Sequence, residues 1–297
     1  MQAGHGTNND TTSAASDDFS AWVGRTETVV EEISAGRVAA LAATLDYDAA
    51  PAAGTGLPPG WQWLFFNPTV RRRELGSDGH PQRGGFLPPV TLPRRMWAGS
   101  RLIYHAPLLI GTEASRTSEI LKVESKTGQS GTLTFVTVRH THAMGGQRCI
   151  EEEQDIVYRS PPAPGAAAPP KKPAPERATW SEEIIPDTTL LFRYSALTFN
   201  GHRIHYDRPY AVGEEGYPDL VVHGPLTATL LQGLAVRAQP SRRLVRFSFR
   251  GLSPLFVSRS FRIEAALVEG KPNELALWAR ADDGDLSMQA TAVFDAG

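Results

Sequence analysis

Between Thr198 and Asp207 the chain reads Thr-Phe-Asn-Gly-His-Arg-Ile-His-Tyr-Asp, which places an amide, Asn200, and two imidazoles, His202 and His205, within six residues. Histidine exchanges protons near neutrality, and an asparagine side chain can hold a water or orient a ring without competing for the proton. Acid–base chemistry on a bound water is therefore available. About one helix-length later comes Val222-His223-Gly224-Pro225. Gly224 has no side chain to keep a ligand off its backbone N–H, and Pro225 suits a first helical turn, where its missing N–H costs nothing. An anionic oxygen would be welcome at such a start, where the positive end of the helix dipole lies.

These residues need elements to position them. A helix opening at Gly224 would run through Leu226, Ala228, Leu230, Leu231 and Leu234, apolar enough on all sides to be buried. Strands follow: Val245, Phe247 and Phe249 alternate with Arg246, Ser248 and Arg250. Phe261, Ile263, Ala265 and Leu267 then share one face, as do Leu275, Leu277 and Ala279, and later Met288, Ala290, Ala292 and Phe294. Period-two alternation is expected of an antiparallel sheet with one face buried. In the first half, Gly131 to Val138 and the segments around Leu102 and Ile156 have the same β-branched and aromatic character. Both halves follow one order: a helical entry, a sharp Gly/Pro turn, a central helix, then strands.

A Pro/Ala-rich run over 160–177 has no apolar periodicity and reads as an extended linker between an N-terminal unit, 18–159, and a C-terminal unit, 178–297. Residues 1–17 are polar, with no apolar core for a secretory signal or a membrane span, and are expected to be a disordered tail. With a formal net charge of −2 there is no bulk attraction to nucleic acid or to an anionic membrane, and neither is expected as a partner. The single cysteine, Cys149, excludes an intramolecular disulfide and a cysteine-based zinc cluster, and a reducing cytoplasm is the simplest compartment.

The string from Phe192 to Asp207 resembles the hot-dog-fold (R)-specific enoyl-thioester hydratases of the MaoC-like group, whose commonest pattern is Gly-Asp-x-Asn-Pro-Ile-His. His205 falls on that histidine, Ile204 on its isoleucine, and Asn200 on the aspartate position. The Asn and both His are the pattern of one branch, the type 2 hydroxyacyl-thioester dehydratases and the related mesaconyl-C4-CoA and itaconyl-CoA hydratases. Arg94 to Ser100, Phe135 to Val138 and Glu151 to Arg159 resemble the same branch, so the likeness runs from about Phe19 to Phe294.

The resemblance implies an α+β double hot-dog, two antiparallel sheets each wrapped around a central helix and joined edge to edge, and a homodimer of such chains. It implies reversible addition of water to an α,β-unsaturated acyl-CoA, a short branched or dicarboxylic one. His205 would act as base, with Asn200 or His202 fixing the water, and the Gly224 N–H would hold the thioester oxygen. No metal or organic cofactor is required, coenzyme A entering as part of the substrate. Arg94, Arg95, Arg193 and Arg203 are candidates for a substrate carboxylate or a CoA phosphate, because guanidinium forks suit planar anions; the competing reading is a solvated or salt-bridged surface.

Other residues receive plainer readings. His223 is expected to be structural, His140 and His142 to be strand-face residues, and Asp46 to end a helix or turn. The first half, with one carboxylate and no histidine over Val38 to Asp46, is expected to lack catalysis and to shape the acyl or CoA tunnel. Three other functions stay open: a 3-hydroxyacyl-thioester dehydratase of longer fatty chains, a thioesterase on the same scaffold, and a non-catalytic acyl-CoA-binding module.

Overall fold

The computed structural model describes residues 18–128, 131–160 and 171–296. The expected tail, 1–17, and most of the expected linker, 161–170, lie outside the described residues. The linker's last part is docked: Pro173 bridges Asp285, and Lys171 meets Asp283 and Asp285 at 2.6 and 2.9 Å.

The first half supplies β1 (Thr26–Glu32), α1 (Ala35–Thr44), β2 (Arg94–Tyr104), β3 (Glu113–Gly128), β4 (Gly131–Met144) and β5 (Gln147–Arg159). The second supplies β6 (Trp180–Ile184), α2 (Thr188–Leu197), α3 (Arg208–Gly213), α4 (Gly224–Ala238), β7 (Leu244–Gly251), β8 (Phe261–Val268), β9 (Lys271–Ala281) and β10 (Leu286–Phe294). The strands form one sheet in the order β1-β3-β4-β5-β2-β7-β10-β9-β8-β6. Each half repeats the same strand order outward from the middle, which is the double hot-dog arrangement. The halves join where β2 pairs antiparallel with β7, Gly99 opposite Arg250 and Leu102 opposite Phe247. A Cβ on Gly99 would sit 2.3 Å from the Phe249 carbonyl oxygen, so the seam closes only because residue 99 has none.

Local sequence explains the pieces. Gly145 and Gly146, both at positive φ, make the tight turn between β4 and β5. Asp187 caps α2 by accepting the Leu190 N–H at 2.7 Å, and Asp207 caps α3 through the Tyr210 N–H. The alternating faces of β8, β9 and β10 bury Ile263, Ala265, Leu275, Leu277, Ala279 and Ala292 completely or nearly so. Helix α4 lies across these strands with Leu226, Ala228, Leu231 and Ala235 fully buried, each large side chain contributing about 1.5–3 kcal/mol.

The first half departs from its expected plan, because no central helix follows its entry. Its place on the sheet face that carries Leu102, Tyr104, Ile150 and Glu152 is taken by a long connection, 45–93, in which only short 3-10 turns form. Trp61, Leu64, Phe65 and Phe66 fill the space instead, and Trp63 Nε1 donates to Glu152 at 3.0 Å. The same connection covers the outer side of α4, where Thr229 bonds the Gly60 carbonyl, and Tyr104 at the end of β2 bonds Gln232 beside it. Pro51, Pro58, Pro59, Gly54, Gly56 and Gly60 already make a helix costly there. No described helix is long and apolar enough to cross a membrane.

Candidate active site

Helix α2 ends with Phe199 at a φ of 50°, and the Asn200 N–H returns to the Ser195 carbonyl at 2.8 Å, a Schellman-type stop that turns the chain sharply. Asn200 Oδ1 then accepts the His202 N–H at 3.0 Å, fixing the loop that leads to the 3-10 turn Arg203–His205. The strand-like stretch before α4 is pinned on both sides, Val221 N–H to the Ile204 carbonyl at 3.0 Å and Val222 N–H to the Leu255 carbonyl at 2.8 Å. These bonds bring His205 beside the start of α4.

His205 is buried, and its Nδ1 lies 2.7 Å from the Val221 carbonyl oxygen. A carbonyl only accepts, so Nδ1 carries the proton and Nε2 keeps its lone pair. Burial lowers the His205 pKa to about 4, so the ring is a neutral acceptor at pH 7. Its face stacks on His223 at 3.7 Å, and His223 Nε2 meets Ser195 Oγ at 2.8 Å. His223 is fully buried, and burial holds it well below its ordinary pKa. It backs the His205 ring, a positioning contact consistent with the structural reading.

Gly224 opens α4, with nothing within 4 Å of where a Cβ would stand. The first bond back to the N-cap comes from Thr227 to the His223 carbonyl, so the Gly224 N–H is spare. His205, His202, Asn200 and Gly224 line one cavity of about 1690 Å³.

Sequence reasoning missed two residues of this wall. The turn 76–80, from the long first-half connection, enters the second half's loop: Arg203 N–H donates to the Asp78 carbonyl at 2.9 Å. Gly79, at a φ of +87°, lies so close to Gly201 that a Cβ would be 1.9 Å from its carbonyl oxygen. Asp78 Oδ2 sits 2.9 Å from His80 Nδ1, and the His80 ring lies 4.1 Å from His202, itself 5.5 Å from His205. Burial opposes ionisation of Asp78, but the hydrogen bonds from His80 outweigh it and hold the carboxyl below the usual range. Burial first, then its histidine neighbours, lowers His202 to about 2. Asp78, His80 and His202 bring one oxygen and two nitrogens within 4.8 Å of one another, a spacing that a cation could use. Asp78 and His80 are, however, bonded to each other as a carboxylate–imidazole pair. The only available hint was the turn-forming Ser77-Asp78-Gly79-His80-Pro81, some 120 residues from the motif it joins.

The four arginines separate. Arg203 is tied to Asp207 at 2.7 Å and to the Ser77 carbonyl, outside the cavity wall, and Arg193 is exposed on α2. Arg94 lines the cavity but is paired with Glu215 at 3.1 Å. Arg95 lines it with no carboxylate partner among the described residues, close enough to His80 and His202 to disfavour their protonation. Asp46 is exposed at the end of α1 with a φ of 55°, a helix-end residue remote from this chemistry. His140 and His142 are strand-face residues on β4. His140 is held between Ser118 and Gln154 at 2.9 and 3.0 Å, and both line the cavity's first-half wall with Glu152 and Arg116.

Comparisons with known proteins give the family and the fold. The chain is 50% identical over 280 residues to the mesaconyl-C4-CoA hydratase of Chloroflexus aurantiacus, covering 93% of this chain and 98% of that one. In three dimensions it resembles HtdX of Mycobacterium tuberculosis, with a TM-score of 0.65 at 18% identity, covering 90% of this chain and 99% of that one. A second Mycobacterium tuberculosis protein, described as having a double hot-dog fold, aligns with a TM-score of 0.55 at 13% identity over 92% of this chain and 96% of that one. The hydroxyacyl-thioester dehydratase type 2 family matches residues 60–257, a span holding the Asp78–His80 turn, the histidine loop and the start of α4, and the chain belongs to this family of hydratase and dehydratase enzymes.

Proposed function

We propose that this protein hydrates a short, branched or dicarboxylic enoyl-CoA reversibly, with mesaconyl-C4-CoA as the first candidate. The observation that carries the reaction is a neutral His205, lone pair free at Nε2, lining the same cavity as the spare N–H at the start of α4. Water held at His205 gives up a proton as its oxygen bonds C3, negative charge moves to the thioester oxygen, and C2 takes a proton as the enolate collapses. The Gly224 N–H would hold that oxygen; removing one such preorganised donor costs about 3 kcal/mol of transition-state stabilisation. Asn200 fixes the loop and has its amide nitrogen left for water or substrate.

Two facts support a dicarboxylic substrate. The relative that shares half of its residues along nearly its whole length is named for one, and Arg95 offers the cavity a guanidinium without a counter-ion among the described residues. The unit 178–297 carries His205 and Gly224, the unit 18–159 completes the cavity, and the chain works in the cytoplasm as a homodimer that binds neither nucleic acid nor membrane. The reaction needs no cofactor beyond the coenzyme A of its substrate, so chelators should leave the rate unchanged.

The test is a panel of mesaconyl-C4-CoA, itaconyl-CoA and crotonyl-CoA, following loss of the conjugated double bond beside His205→Ala. Fast, His205-dependent hydration of a dicarboxylic member is expected. Turnover of long linear chains alone would move the protein to fatty-acyl dehydration, and no turnover at all would make it a binding module.

A further inference from the structure

The hydration described above leaves Asp78, the carboxylate beside His80 and His202, unused. Asp78 grips His80 twice, through Oδ2 to Nδ1 at 2.9 Å and through Oδ1 to the backbone N–H at 3.0 Å. The carboxylate is ionised, so it accepts from Nδ1 and leaves His80 Nε2 with the lone pair. Asp78 and His80 line the same cavity as His205 and Gly224. The rings of His80, His202, His205 and His223 follow one another at 4.1, 5.5 and 3.7 Å.

The groups facing His80 are Asp78 on its own turn, Arg95 from β2, Arg83 from the connection before β2, and His202 from the second half. Of these, Asp78 alone favours a proton on the ring; Arg95, Arg83 and burial oppose it. Taking a proton from water creates an imidazolium. A carboxylate hydrogen-bonded to the far nitrogen both fixes the tautomer and stabilises that cation. His205 has only the Val221 carbonyl in the equivalent place, which supplies a dipole and no charge.

We propose that Asp78 and His80 form an acid–base dyad of this active site, contributed by the first half, with His80 as the resting place of the proton in transit from water to C2. The inference rests on the hydration reading and refines one step of it. The water O–H bond breaks as the C3–O bond forms, the proton lies on His80 Nε2 while Asp78 holds the Nδ1–H, and it then forms the C2–H bond as the enolate collapses. His205 holds the water. Protons balance over the cycle and no electron is transferred to or from the protein. His80 is thus a catalytic residue and Asp78 a positioning residue acting through it.

Asp78→Asn and His80→Gln would be assayed with whichever enoyl-CoA the parent enzyme hydrates, recording kcat, KM and the pH profile of kcat/KM. The dyad predicts a loss of kcat of roughly 10²-fold or more in each variant, with KM within about threefold. In Asp78→Asn the acidic limb should also move to lower pH, since the imidazolium has lost its counter-charge, and Asp78→Glu should recover part of the rate. A dyad that only pins the turn would lower thermal stability and leave the limb in place. Should either variant fold poorly, nitrogen NMR of histidine in the intact enzyme gives an independent reading: His80 protonated at Nδ1 supports the dyad, and protonation at Nε2 overturns it. An active parent with unchanged kcat and limb in both variants sinks the dyad alone. A parent inactive on every enoyl-CoA sinks the hydration reading and the dyad with it.

Discussion

The proposed hydration gives Arg95 and His205 separable jobs, and kinetics should separate them. Losing a charge-assisted contact to a distal carboxylate costs about 1.5–3 kcal/mol. Arg95→Ala should therefore raise KM for a dicarboxylic substrate by roughly 10- to 100-fold and leave KM for crotonyl-CoA nearly unchanged; equal effects on both would remove the assigned role. His205→Ala should lower kcat by about 10²- to 10⁴-fold. Because burial brings His205 down to about 4, the neutral form persists well below the usual histidine range, and activity should hold its plateau from pH 8 to below 6 before falling. A limb centred near 6.5 that stays in place in Asp78→Asn would show that the His205 ring is solvated. Asn200, His202 and His205 were readable because they are neighbours in one short string. Arg95 could be named but not singled out from Arg94, since only the fold shows which guanidinium has a carboxylate beside it. Asp78 and His80 carry no local mark of chemistry and meet the string only through tertiary packing.

The turn at 76–80 is the element that makes the first half part of the site. Its docking depends on backbone lying against backbone at Gly79 and Gly201. Gly79→Ala would place a methyl group inside the Gly201 carbonyl and force a strained φ, so the turn must lift away. We expect a stability loss of at least about 1–3 kcal/mol and a parallel loss of kcat, checked by thermal unfolding and hydratase assay. A variant with parent-like Tm and rate would show that the turn is not held as described. Period-two patterning announced the second half's strands faithfully, because that sheet has one buried and one open face. The first half's central helix failed, although its Pro and Gly content between Pro51 and Gly60 already argued against it. Expecting symmetry between the halves outweighed that local signal.

Across the whole molecule, His80, His140, His142, His202, His205 and His223 are all lowered in pKa, in each case chiefly by burial. In the unfolded chain they titrate near 6.5. Above that pH both states are neutral and the histidines make no difference to stability. Below it the unfolded chain binds protons that the native state refuses, down to about 4 for His205, about 3 for His140 and about 2 for His202. Stability must then fall with pH, by up to about 1.4 kcal/mol per unit for each such ring. Tm should be level from pH 7 to 8.5 and several degrees lower by pH 5.5. A level Tm down to pH 5 would mean that these rings are open to water.

The replacement of the first half's helix by the connection 45–93 also fixes a number. Two copies of one architectural plan, each with its own polarised helix start, would give two equivalents of reactive centre per polypeptide. Here the described residues present one long helix opening toward the cavity, and the other copy has given up that position to Trp61, Phe65 and Phe66. A non-hydrolysable substrate analogue titrated calorimetrically should saturate at one equivalent per chain, so that two halves of polypeptide would share a single binding centre.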